Sequence, residues 1–300
     1  MKTLIKGAKI VTEKGLTRAD ILIEKGIISE ISEEIRAEAD RIIEGDGLTA
    51  IPGLVDMHTH LREPGYEYKE NILTGTKAAV KGGFTSVACM PNTLPICDND
   101  SVVNYIVDKA KEAGYAKVYP IGAITKGSQG VELSEMHRMK KAGIVAVSDD
   151  GRPVMNSNVM RHAMEYAKSV DILVISHCED LELSKDGYVN EGDNSTISGL
   201  QGITRASEEI MVAREILLAN ALDTRIHIAH ISTKGSVELV RQAKKKGVKV
   251  TAETCPHYFA ATDDLILTFD SFTKVNPPLR EEKDRLAIIE GLKDGTIDVI

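Results

Sequence analysis

The sequence has no excess of positive charge. Its 300 residues carry 37 Lys and Arg against 45 Asp and Glu, a formal net charge of −8. That balance argues against a nucleic-acid binder, which usually presents a basic face, and an anionic small substrate would need a local cation. No run of about eighteen apolar residues is present to span a bilayer. The first residues, MKTLIKGAKIV, lack the apolar core and small-residue cleavage site of a secretory signal. Neither nucleic acid nor membrane is therefore an expected partner, and the cytoplasm is the expected compartment. Cysteine is sparse: Cys89, Cys97, Cys178 and Cys255 show no CxxC spacing and none of the density of a disulfide scaffold. They read as cytoplasmic thiols. Cys178 and Cys255 lie near candidate site residues, but no adjacent base marks either as a nucleophile. No GxGxxG or Walker-type loop follows an apolar run, which weakens an open nucleotide-binding sheet.

Two rhythms run along the chain. The first fifty residues hold short β-rich runs, TLIKGAKIVT, ADILIEKGIISEI and RIIEGDGLTAI, separated by glycine and charged turns. From Leu48 onward, apolar strand candidates alternate with helical patterns. The strands are TAIPGLVDMH, GFTSVACMPN, AKVYPIGAIT, GIVAVSDD, ILVISHCED, RIHIAHIS, KVTAETCPHY and TIDVI. The helices between them include NILTGTKAAVKGG, DNDSVVNYIVDKAKEAG and GSVELVRQAKKKG, several closing on lysines followed by glycine. Apolar strands alternating with helices imply a parallel sheet covered on both faces. Eight strands favour an α/β fold of the (β/α)8 TIM-type barrel, with residues 1–50 as part of a small β domain and 51–300 as the barrel. The last strand candidate reaches Ile300, so the barrel is expected to be incomplete there, with an open edge.

In such a barrel the chemistry sits at the C-terminal ends of the strands. His58 and His60, in DMHTH, end the first strand, and a spacing of two puts both imidazoles on one face. Asp149 and Asp150 end the fourth strand, His177 the fifth and His230 the sixth. Each alone could be an ordinary polar residue at a loop. Together, four imidazoles and a carboxylate on one rim suit zinc or another borderline divalent ion, and two ions need about this many ligands. His137 and His162 fall in helical patterns among charged neighbours and read as solvated. His227 reads as structural.

These segments resemble the amidohydrolase superfamily and, within it, the dihydroorotase family. The resemblance rests on DMHTHLREPG, GTKAAVKGGFTSVACMPNT, SDDG, SHCED, HIAHIST, TAETCPHY and KVNPPLR, and covers essentially the whole chain. It implies a small β-sandwich domain beside the barrel. It implies two zinc ions per chain, one held by His58 and His60 and the other by His177 and His230. Asp150 would bridge them together with a hydroxide that attacks the ring amide. Hydantoinases and allantoinases are similar in their HxH but use a carboxylated lysine on strand four, where this chain has VSDDG. Arg62, Asn92 and Asn276 match the family's substrate-binding positions, and Arg62 offers a planar fork to a carboxylate. His257 is expected to support the ligands, Glu63 and Pro64 to shape the loop, and Gly82 and Gly83 to stop a helix. The stretch 259–280 is a candidate lid. The family's general acid/base, a strand-eight aspartate, is expected beyond Ile300; Asp298 lies inside the strand. The expected activity is reversible hydrolysis of dihydroorotate to carbamoyl aspartate in pyrimidine synthesis, with a small-molecule partner and a possible homodimer. Another cyclic amidase or a non-catalytic scaffold are the rivals.

Overall fold

Gly and charged turns cut the N-terminal sequence into strands that cannot bury a face or pair their backbone alone, so they join into a sheet. The computed structural model describes residues 1–13 and 15–300, and these divide into two units, Met1–Leu54 and Val55–Ile300. In the first, β1 (Lys2–Thr12), β2 (Gly15–Glu24), β3 (Ile27–Ser32), β4 (Arg41–Glu44) and β5 (Thr49–Ala50) form one sheet in the order β3-β2-β1-β4, with β5 also on β1. The run ADILIEKGIISEI is two strands rather than one. Lys25 and Gly26 both take positive φ (52° and 81°), the backbone a tight hairpin requires. Leu4, Leu22 and Ile35 form the small core. Asp20 is buried beside them, and its carboxylate accepts the backbone N–H groups of Gly7 and Ile35.

The second unit alternates strand and helix. Its elements are β6 (Leu54–Thr59), α1 (Ile72–Lys81), β7 (Phe84–Cys89), α2 (Asp100–Ala113), β8 (Lys117–Gly122), α3 (Met136–Ala142), β9 (Ala146–Val147), α4 (Ser157–Ser169) and β10 (Leu173–Ser176). After a short helix α5 (Leu181–Ser184), β11 (Val189–Asn190), α6 (Asp193–Ser198) and β12 (Gly202–Ile203) come α7 (Ala206–Leu222), β13 (Ile226–Ile228), α8 (Lys234–Lys245), β14 (Val250–Ala252), α9 (Pro256–Ala260) and α10 (Glu282–Lys293). Seven strands form one sheet in the order β14-β13-β10-β9-β8-β7-β6, paired in parallel from β7 to β14. This is the curled sheet of a (β/α)8 barrel. The eighth predicted strand is reduced to a single parallel bridge between Val299 and Glu253.

Alternation separates the two faces of the sheet. Val147 and Val174 join the core against the helices, with Met160, Val212 and Val237, while their neighbours Ala146 and Ile175 pack with Met90 and Ile121 on the other face. Asparagine caps start the helices: the Asn71, Asn99 and Asn156 side chains accept N–H groups at the first turns of α1, α2 and α4. Gly82 caps the end of α1 and Gly83 follows at φ 88°, so the chain turns directly into β7.

Candidate metal centre

Five of the seven strands hand a polar side chain to the same rim. His58 lies within β6 and His60 one residue past it; Asp150 follows β9, His177 follows β10, His230 follows β13 and Glu253 follows β14. Gly151, at φ 73°, lets the chain leave the rim immediately after Asp150. His230 is held at φ 34°, a conformation that costs a non-glycine residue free energy and persists only when its surroundings enforce it. They do: the buried Glu208 of α7 accepts the amides of Ser232 and Thr233 and the Ser232 hydroxyl, and the Thr233 hydroxyl caps α8.

The four imidazoles converge on one carboxylate. Asp150 Oδ1 lies 3.5 Å from His58 Nε2, 3.6 Å from His177 Nδ1 and 3.6 Å from His230 Nε2; Oδ2 lies 3.7 Å from His60 Nε2. These separations are long for hydrogen bonds. They match the spacing of about 3.4 Å expected for two ligand atoms each about 2.1 Å from a tetrahedral ion. Two groups could hold a metal ion, His58–His60–Asp150 and Asp150–His177–His230, and Asp150 belongs to both. His177 Nδ1 and His230 Nε2 also share a 2.8 Å hydrogen bond, which an ion between them would replace.

The far nitrogens are pinned. His58 Nδ1 donates to Glu253 Oε1 at 2.6 Å, His60 Nδ1 to Asn92 Oδ1 at 3.0 Å and His177 Nε2 to Glu179 Oε2 at 2.8 Å. Each of these bonds turns the other ring nitrogen toward Asp150, where on losing its proton it offers the lone pair a metal ligand needs. The donor set therefore fits a pair of divalent ions.

Electrostatics follow from this packing. Burial alone would raise the Asp150 carboxyl, but the imidazoles of His177, His230 and His58 gathered around it outweigh that and hold it well below the ordinary carboxylate range. Burial would likewise depress His58 and His177, yet the carboxylates of Asp150 and Glu253, and of Asp150 and Glu179, push them up to about 10 and about 9. Burial depresses His60 and His230. Asp149, the neighbour of Asp150, faces elsewhere: its carboxylate accepts the Ile124 and Thr125 amides at 2.8 and 3.2 Å and the Thr125 hydroxyl.

The centre opens into a cavity of about 590 Å³ whose walls include Arg62, Asn92 and Asn276. Comparison with known proteins gives this geometry its context. A family profile described as Dihydro-orotase-like matches residues 47–236. A protein named Dihydroorotase from Acetivibrio thermocellus is 58% identical over 299 residues, covering 99% of this chain and 70% of its own length. One of the same name from Ruminiclostridium cellulolyticum is 56% identical, covering 100% of this chain and 71% of its own. This chain belongs to the dihydroorotase family. Solved hydantoinases share the fold: the L-hydantoinase of Arthrobacter aurescens superposes with a TM-score of 0.84 at 22% identity, covering 99% of this chain and 68% of that one.

Within that family framework, the side chains read from sequence take particular places. Arg62 is half-buried, at φ 61°, and among the described residues no side chain or carbonyl engages its guanidinium. The Asn92 amide is used at both ends, accepting from His60 and donating to Asp150 Oδ2 at 3.2 Å. Asn276 donates to Glu179 at 3.1 Å. His137 and His162 are exposed on helices. Burial pushes the Cys255 thiol up to about 12 and the fully buried Cys178 thiol well above its ordinary value, so neither is an activated nucleophile.

One expectation is corrected. His257 makes no hydrogen bond to a ligand among the described residues: β14 ends at Ala252, so His257 falls within α9, where it lines the cavity and its ring packs edge-on against Tyr258. Glu253, Glu179 and Asn92 hold the histidines instead. Glu253 and Glu179 were missed as support, although each had a signal. Glu179 stands two residues after His177, and Glu253 sits at the end of the seventh strand as Asp150 and His177 do at theirs. The candidate lid is tied down at both ends. Tyr258 Oη donates to the Pro277 carbonyl at 2.6 Å, and the buried Asp263 accepts from Asn190 and Asn194.

Proposed function

We propose that the chain catalyses the reversible hydrolysis of the ring amide of dihydroorotate to N-carbamoyl-aspartate, a step of pyrimidine biosynthesis, with two zinc ions. The observation that carries this reading is the central carboxylate. Asp150 stands among four histidines at the end of a fourth strand without a lysine, in a chain whose relatives at 58% and 56% identity are named Dihydroorotase. In the proposed arrangement His58 and His60 hold one ion, His177 and His230 the other, and Asp150 both. Bound there, the ions would polarise the amide carbonyl and ionise water near neutral pH.

The side chains supply the rest. Arg62 offers its free, planar guanidinium to the substrate carboxylate, the local cation that an acidic protein needs for an anionic substrate. Asn92 orients His60 and Asp150, and its position in the cavity wall brings its amide within reach of substrate. Asn276, also in the cavity wall, is the second amide. Glu179 and Glu253 accept the far ring N–H groups of His177 and His58.

The test is a substrate panel on the zinc-loaded protein. Turnover on dihydroorotate should exceed that on hydantoin and allantoin by at least about 100-fold in kcat/KM, because buried polar groups matched to a carboxylate are left unpaired by ligands lacking it. Preference for hydantoin would overturn the reading.

A further inference from the structure

Glu253 is 4% exposed, and a carboxylate so deeply buried is costly unless both oxygens are paired. Both are. Oε1 accepts from His58 Nδ1 at 2.6 Å, and Oε2 lies 3.3 Å from His227 Nε2. His227, itself fully buried, is fixed in turn by Thr251 Oγ1, 2.8 Å from its Nδ1. Register explains the chain of contacts. His227 on β13 is the cross-strand partner of Thr251 on β14, and Thr251 and Glu253 stand two residues apart, on one face of their strand. One imidazole therefore spans both. The other oxygen of Glu253 reaches a histidine of β6, and β14 and β6 are the two ends of the sheet order. This hydrogen bond joins the first strand of the barrel to the seventh.

We infer that Glu253, steadied by His227, is the positioning residue of the His58–His60 metal site. It keeps Nδ1 as the hydrogen-bonded nitrogen of His58 and so keeps Nε2 turned toward Asp150. The inference rests on the metal assignment proposed above but not on the choice of substrate. A purely structural role for the Glu253–His227 pair, as polar filling that closes the sheet, makes a different prediction. It would lower stability without favouring one metal site over the other.

Co2+ binding to the metal-free protein, followed by visible absorption against a competing chelator, separates the two. The wild type should take up two ions. Glu253→Gln keeps size and shape but removes the charge, and should weaken one site by roughly 10–100-fold, the usual effect of losing such a partner, while the other holds. Glu179→Gln, which acts on His177, should weaken the other site instead. Wild-type affinities at both sites in Glu253→Gln overturn the inference, as does an equal loss at both accompanied by a lower melting temperature. Should Glu253→Gln fail to fold, Thr251→Val, which frees His227 and leaves the carboxylate in place, is expected to cause a smaller loss at the same site; unchanged Co2+ affinity there overturns the inference. A wild type that binds two Co2+ yet leaves dihydroorotate untouched removes the substrate reading and leaves this one standing. One that binds no Co2+ removes both.

Discussion

The two histidine pairs around Asp150 are built in different ways. His58 lies in β6 and His60 one residue past its end, at a spacing of two along one extended segment, and their side chains are 15% and 31% exposed. His177 and His230 come from neighbouring strands, β10 and β13, and are 3% and 8% exposed. Their alignment depends on sheet register and on the strained turn at His230. Local covalent geometry makes the first pair; tertiary packing makes the second. The first is accordingly open to solvent and to chelators, and the second is only as good as the fold around it.

The strongest way to break this comparison is to remove what both pairs share. Asp150→Ala should drop metal content from two ions per chain to below one. It should cut dihydroorotate turnover on the order of 10³-fold, since metal polarisation contributes several kcal/mol and each 1.4 kcal/mol is tenfold. Metal analysis beside steady-state kinetics checks it, and near-normal turnover would remove Asp150 from the centre. The adjacent carboxylate makes the contrast. Asp149→Ala strips the partners from two buried amides and a hydroxyl. It should cost about 2–4 kcal/mol of stability, read as a lower denaturation midpoint, with metal uptake retained in the folded fraction.

Smaller perturbations sharpen the comparison. Arg62→Met should raise KM for dihydroorotate by roughly 10–100-fold, the loss of one charged hydrogen bond, with both ions retained. A KM within twofold of wild type would assign the carboxylate to another group. The smallest effect is in pH. In the metal-free protein His58 and His177 hold protons up to about 10 and about 9, and an ion must displace them. Zn2+ affinity should therefore rise with pH, by at most about tenfold per unit per displaced proton. The rise should flatten above about 9 for the His177 site and about 10 for the His58 site. Proton release on Zn2+ addition, measured in weakly buffered solution, should be seen at pH 7 and vanish above those values.

The same difference explains what could be read in the sequence. The HxH is legible because its geometry is local. His177, His230 and the Asp149–Asp150 pair are legible only as residues at strand ends, once alternating strands and helices imply a barrel. Between the two aspartates sequence position says nothing; the backbone amides of Ile124 and Thr125, some twenty-five residues away, claim Asp149 and leave Asp150 to the rim. The helices α1, α2, α3, α4, α7, α8 and α10 are long enough to show in the sequence, and α1, α2, α4 and α8 also carry side-chain caps. The short elements α5, α6, β11 and β12 do not show, because two to six residues carry too little pattern to register. Glu253 went unread for a related reason. A lone glutamate in a strand looks like a solvated edge until β14 and β6, at opposite ends of the sheet, are known to meet. His257 misled because a histidine near the end of strand seven resembles the others, while the strand ends five residues before it.

The most direct test is to locate zinc by anomalous diffraction in crystals of the zinc-loaded protein. The account predicts two peaks, one among His58, His60 and Asp150 and one among Asp150, His177 and His230, with Asp150 bound to both. A single peak, or peaks that leave Asp150 uncoordinated, would contradict it.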